Sequence, residues 1–147
     1  MRTAILGASG LVGRTMLRLL DHETWLDTPP RLFTSARSAG ARVPFRGGEL
    51  TCEDVATADL AGLELALFSA GGGTSRRWAP VFAERGAVVV DNSSAWRMED
   101  GVPLVVPEVN GHRIGDAGAG GIIANPNCST IQIALPCAAL DQAFGLR

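Results

Sequence analysis

The stretch Thr3-Ala4-Ile5-Leu6-Gly7-Ala8-Ser9-Gly10-Leu11-Val12-Gly13 decides the fold. Its first four residues form a short apolar run that stops at a glycine, the pattern of a buried strand. From Leu11 the period changes. Val12, Met16, Leu19 and Leu20 fall at i, i+4, i+7 and i+8, which predicts one apolar face of a helix ending near His22. Between strand and helix, Gly7, Gly10 and Gly13 are spaced as GxxGxxG. A glycine at the strand end permits positive φ. Gly10 lets the backbone approach a pyrophosphate, and Gly13 lets the helix pack closely on the strand. The free N–H groups and positive dipole end of such a helix suit a phosphate. Arg31 to Thr34 reads as the next strand. Strand, helix and strand together take about 30 residues, the size of one βαβ unit.

Outward from this unit the alternation continues. Residues 41–52 read as a hairpin or edge pair around Gly47-Gly48, and Leu65-Ala66-Leu67-Phe68 as a buried strand. A Gly-rich turn follows, and Trp78, Val81 and Phe82 mark a second helix. Ala87-Val88-Val89-Val90 is a further strand ending in Asp91, with two more expected at 102–106 and 121–124. Strands alternating with helices predict an α/β, Rossmann-like, doubly wound and mostly parallel sheet with helices on both faces. Residues 129–144 predict a helix apolar nearly all round and interrupted or kinked at Pro136. Such a helix is normally covered on several sides, so the expected division is a dinucleotide-binding domain over 1–127 and a helix over 128–147 leading into a second domain absent from the chain.

The 147 residues are 46% hydrophobic and 19% charged, a composition that excludes disorder. Thirteen basic against fifteen acidic residues leave a net charge of −2, with no electrostatic footprint for nucleic acid. No apolar run is long enough for a membrane span. Three cysteines without metal spacing fit reduced thiols, a cytoplasmic setting and no metal site.

The end of the second strand bears on the cofactor. An acidic residue there would hold the ribose 2′-hydroxyl of NAD. The sequence instead offers Thr34-Ser35-Ala36-Arg37-Ser38. Arg37 can pair with a 2′-phosphate while Ser35 and Ser38 donate to it, which favours NADP. Arg76 and Arg77 read as solvated helix residues.

Asn125-Pro126-Asn127-Cys128-Ser129-Thr130 opens the apolar helix. Pro126 holds Asn125 extended and brings Cys128 to the first helical turn. A thiol at the positive end of a helix is favoured as thiolate, the form that acts as nucleophile. Asn127 can donate an amide hydrogen to a developing oxyanion. Cys52 reads as strand packing and Cys137 as core. Arg97, in Asp91-Asn92-Ser93-Ser94-Ala95-Trp96-Arg97-Met98, follows a strand end, where open α/β sheets bind ligands, and can hold a phosphate.

These segments, taken in order with Phe68-Ser69-Ala70-Gly71-Gly72-Gly73 and Val106-Pro107-Glu108-Val109-Asn110, resemble aspartate-semialdehyde dehydrogenases along the entire chain. The resemblance implies NADPH-dependent reduction of L-aspartyl 4-phosphate to L-aspartate 4-semialdehyde with release of phosphate. That step lies on the route to lysine, diaminopimelate, methionine, threonine and isoleucine. By the same resemblance Cys128 is the acyl-thioester nucleophile, and Arg97 and Asn127 line the substrate or phosphate site. Ser9, Gly10, Leu11, Val12, Arg37, Ser38, Ser69 and Gly72 contact NADP. Family members are homodimers or tetramers more than twice this long. Their acid–base histidine and substrate arginine lie in a second domain and have no counterpart here, so weak or no activity is expected of this chain alone. Two other readings stay open at this point: a non-catalytic NADP-binding module, and a sister acyl-phosphate reductase such as N-acetyl-γ-glutamyl-phosphate reductase.

Overall fold

The computed structural model describes residues 1–146; Arg147, the last residue of the expected 128–147 segment, lies outside the described residues. Seven strands form one sheet: β1 (Thr3–Leu6), β2 (Arg31–Thr34), β3 (Arg42–Phe45), β4 (Gly48–Asp54), β5 (Leu65–Phe68), β6 (Val88–Asp91) and β7 (Ile122–Ala124). Their spatial order is β3-β4-β2-β1-β5-β6-β7. Every pairing is parallel except β3 with β4, a hairpin at the edge. The helices are α1 (Leu11–Leu20), α2 (Gly72–Glu84), α3 (Pro107–Asn110) and α4 (Cys128–Phe144), with short 3-10 segments at Ala36–Ser38 and Gly111–Ala117.

All four residues of β1 are buried, because both faces of the sheet are covered. Ile5 points to the face where Leu17 and Leu20 of α1 pack with Leu26, Leu32 and Val43. Ala4 and Leu6 point the other way, into a cluster with Phe33, Phe68, Val89 and Ala79 and Phe82 of α2. Phe82 meets Phe33 and Phe68 edge-on, with ring centroids 5.8 and 5.1 Å away. Such pairs stabilise by about 0.5–1.5 kcal/mol beyond area burial. The expected doubly wound, Rossmann-like sheet with helices on both faces is what the chain forms.

Three expectations are corrected. The buried face of α1 is Gly13, Leu17 and Leu20, whereas Val12 and Leu19 are 42% and 66% exposed. Gly13 sets the rotation: the helix start is clamped against Gly7, and the i+4 and i+7 positions follow it inward. Residues 102–106 make only a single bridge, Leu104 to Ala124, rather than a strand. Pro103 within the segment and Pro107 directly after it lack the N–H groups a longer ladder would use. Finally, of the interruption or kink expected at Pro136 the structure excludes the interruption: α4 runs through that residue as one helix. Proline removes one ladder bond there without ending the helix. None of the α4 residues is buried: Ile133 is 63% exposed and Phe144 82%. Among the described residues no helix is long and apolar enough to cross a membrane.

Candidate functional site

Because β2, β1, β5, β6 and β7 are parallel neighbours, their C-terminal ends share one edge of the sheet. The loops that leave this edge carry the chemistry-bearing residues singled out in the sequence.

The turn after β1 is built by glycine. Gly7 has φ +93°, and a Cβ there would overlap the backbone oxygen of Ser69 after β5. A Cβ on Gly13 would overlap the Gly7 carbonyl and the Ala8 backbone. The turn closes with the Gly10 N–H donating to the Gly7 carbonyl at 3.0 Å. The Arg14 N–H donates to the Gly10 carbonyl at 3.0 Å, so the amides of Leu11, Val12 and Gly13 precede the helical ladder. Leu11 and Val12 expose their side chains, and Gly13 is buried beneath the turn.

A cavity of about 590 Å³ lies over this turn. It brings together seven of the residues expected to bind a dinucleotide: Gly7, Ser9, Gly10, Ser35, Arg37, Ser38 and Ser69. Leu11, Val12 and Gly13 are at the helix start beside it rather than in its wall, and Gly72 opens α2 with Ala95 as its neighbour. Ala70, within the expected Ser69–Gly72 turn, lines the cavity too, as do residues the sequence reading missed: Leu6, Thr34, Val55, Gly73, Thr74, Arg77 and Trp78. Arg77 is exposed, as expected together with Arg76, and it also belongs to this wall. Thr74, Arg77 and Trp78 stand at i, i+3 and i+4 on α2, a spacing that could have flagged them as one face. Arg76 does face outward, pairing with Glu99 at 3.6 Å.

The second group lies further along the edge and does not line that cavity. Arg97 is half-buried; its Nε donates to the Asn125 carbonyl at 3.0 Å and its Nη2 to the Asn92 carbonyl at 3.2 Å. Asn125 Nδ2 donates to Asn92 Oδ1 at 2.7 Å, tying the loop after β6 to the loop after β7. The β6 loop is itself fixed by buried Asp91, whose Oδ2 accepts from the Ser93 N–H and hydroxyl. Arg97 pairs with no carboxylate among the described residues, leaving guanidinium N–H groups for another acceptor. Asn127 caps α4: its Oδ1 accepts the Ser129 N–H at 2.9 Å. Cys128 is the first residue of that helix and is exposed, with its thiol 3.9 Å from Asn127 Oδ1. Cys137 is exposed too, contrary to the expectation of a core residue, because only the short α3 lies against α4 and no residue of α4 is buried. Cys52 is buried in β4 as expected, and burial pushes its thiol pKa up.

The geometry of a glycine turn, a cation- and hydroxyl-lined cavity and an exposed cysteine along one strand edge has close parallels among known proteins. The aspartate-semialdehyde dehydrogenase of Aquifex aeolicus is 48% identical over 147 residues, covering 99% of this chain and 43% of its own. The chain thus spans less than half the length of that curated relative. Among solved structures, aspartate semialdehyde dehydrogenase II of Vibrio cholerae, complexed with ASA, superposes with a TM-score of 0.93 at 43% identity, over 99% of this chain and 47% of that one. The Candida albicans enzyme with NADP gives 0.77 at 25% identity, over 99% and 48%. The family model described as semialdehyde dehydrogenase, NAD binding domain, matches residues 2–117, which contain the glycine turn and the whole cavity. Through that nicotinamide-cofactor domain the chain belongs to the semialdehyde dehydrogenase family.

Proposed function

We propose that the chain is the NADP-binding part of an aspartate-semialdehyde dehydrogenase that reduces L-aspartyl 4-phosphate to L-aspartate 4-semialdehyde and releases phosphate. The observation that carries this reading is the shared strand edge. A cavity with arginine and hydroxyl groups opens at β1 and β2, and an exposed cysteine starts a helix after β7. The names of the Aquifex and Vibrio relatives support the substrate, and the Candida complex supports the cofactor.

The residues present fit NADP. The glycine turn leaves a cradle that side chains would fill, and the Leu11, Val12 and Gly13 amides stand ready for a pyrophosphate. Ser35, Arg37 and Ser38 hold the 2′-phosphate, while Ser69 and Gly72 border the path of the dinucleotide toward β6. When bound, NADPH supplies the hydride that turns the activated acyl group into an aldehyde. The chain's own chemistry is at Cys128. Its thiolate attacks the acyl carbonyl, phosphate departs, and a thioester remains on Sγ. Asn127 Nδ2, which has no partner among the described residues, donates to the developing oxyanion. Arg97 holds the phosphate, its guanidinium steadied by the two backbone carbonyls it already contacts. This reading carries with it a cytoplasmic setting, which three free cysteines support, and a homo-oligomeric longer protein.

Mass spectrometry after incubation with the semialdehyde and NADP tests the assignment. The expected result is an acyl adduct on the peptide bearing Cys128 that is lost in Cys128→Ser. An adduct that survives this substitution overturns it.

A further inference from the structure

The cavity contains a second cation for which the proposed function has no use. Arg37 reaches it from the loop after β2, and Arg77 from α2, on the opposite side of the β1 turn. Neither pairs with a carboxylate among the described residues, and no Asp or Glu lines the cavity. Arg76, one residue away, shows the usual fate of a surface arginine on this helix: it pairs with Glu99 and lies over the Trp96 ring. Arg77 is exposed too and likewise lies over an indole, 5.0 Å from the centroid of Trp78, but it has no carboxylate partner among the described residues, and both it and Trp78 share the cavity wall. Two guanidinium groups lining one cavity without a carboxylate favour an anion there. A guanidinium also presents a planar fork of donors that matches phosphate oxygens. Hydroxyl groups of Thr34, Ser35, Ser38 and Thr74 surround the same space.

One phosphate pair is already provided for. The amides at the start of α1 and the close approach at Gly10 serve the pyrophosphate, and they need neither arginine. The cations stand on the β2 side and the α2 side of the same cavity, while those amides stand at the start of α1 beside it. We propose that Arg77 is a specificity-determining residue: a second cation for the 2′-phosphate of NADP, closing on it from α2 while Arg37 closes from β2. This rests on the NADP reading above and extends it, since it makes discrimination against NAD a property of two walls of the cavity rather than of one loop.

Calorimetric titration of NADP and NAD into the chain and its Arg77→Ala, Arg77→Lys and Arg37→Ala variants tests it. Arg77→Ala is expected to weaken NADP about tenfold or more, the size of one charge-assisted hydrogen bond, and to leave NAD unchanged. Arg77→Lys is expected to recover part of the loss. Equal weakening of both cofactors would assign Arg77 to the adenine or another shared part and overturn the proposal. So would an unchanged NADP affinity, or a lysine variant no better than alanine. The underlying reading fails separately: wild-type chain that binds both cofactors equally, with Arg37→Ala silent, would remove NADP itself. Arg37→Ala abolishing the preference while Arg77→Ala keeps it would remove only the inference.

Discussion

At the scale of single residues, the tightest constraint is Gly13. Its missing side chain is where the backbone of Gly7 and Ala8 passes, so the first turn of α1 and the end of β1 touch main chain to main chain. Gly13→Ala puts a methyl into that contact, and backbone cannot rotate away as a side chain would. Overpacking of this kind costs about 1–3 kcal/mol. Urea denaturation is expected to show a loss of that size, and NADP affinity is expected to fall as the helix start is pushed off the strand. A variant as stable as the parent would mean that the helix and strand are not in contact at Gly13. This residue was legible in the sequence because the requirement is local: a turn between a strand and a helix announces its glycines by spacing. The place of Cys128 at a helix start was legible for the same reason, through the Asn-Pro-Asn that precedes the helix. Arg77 was not, because an arginine on a helix is usually solvated and only the tertiary placement of α2 shows that it lines the cavity.

At the scale of elements, apolar periodicity found nearly every strand and helix, and it erred where a second influence competed. The rotation of α1 went wrong because apolar residues cover more than one face of it, so the pattern does not choose and Gly13 does. Residues 102–106 are apolar enough for a strand, yet their prolines allow only one bridge. In α4 the reading was right about composition: Ile133, Leu135, Leu140 and Phe144 are all exposed on a helix with no buried residue. An uncovered apolar helix in water gains by covering itself. Sedimentation velocity is therefore expected to show concentration-dependent association of this chain. Ile133→Glu combined with Leu140→Glu should shift it toward monomer, with cofactor affinity unchanged because α4 does not line the cavity. A parent chain that stays monomeric at high concentration would contradict the exposure of this helix.

At the scale of the whole molecule, the parallel sheet acts as a ruler. From the end of β2 to the end of β7 there are four strand spacings, roughly 19 Å at about 4.8 Å each. Ser35, Arg37 and Ser38 stand at one end of that span and Cys128 at the other, with the glycine turn and Ser69 between them. A dinucleotide can reach across; its adenosine half cannot. This sets up a test of the arrangement that needs no turnover. In a Cys137→Ser background, which leaves Cys128 as the one exposed thiol among the described residues, alkylation by iodoacetamide reports on access to its sulfur. On the proposed reading, which runs the nicotinamide end of the cofactor toward β6 and β7, NADP at saturation is expected to slow that rate several-fold. Adenosine 2′,5′-bisphosphate, carrying the 2′-phosphate but no nicotinamide, is expected to bind the same cavity and leave the rate alone. Equal protection by both would mean that the thiol responds to filling of the adenosine end itself, and the linear order from phosphate cavity to nucleophile would have to be abandoned. Protection by NADP alone would tie the two ends of the sheet edge to one ligand, which is what hydride delivery to a group held on Cys128 requires.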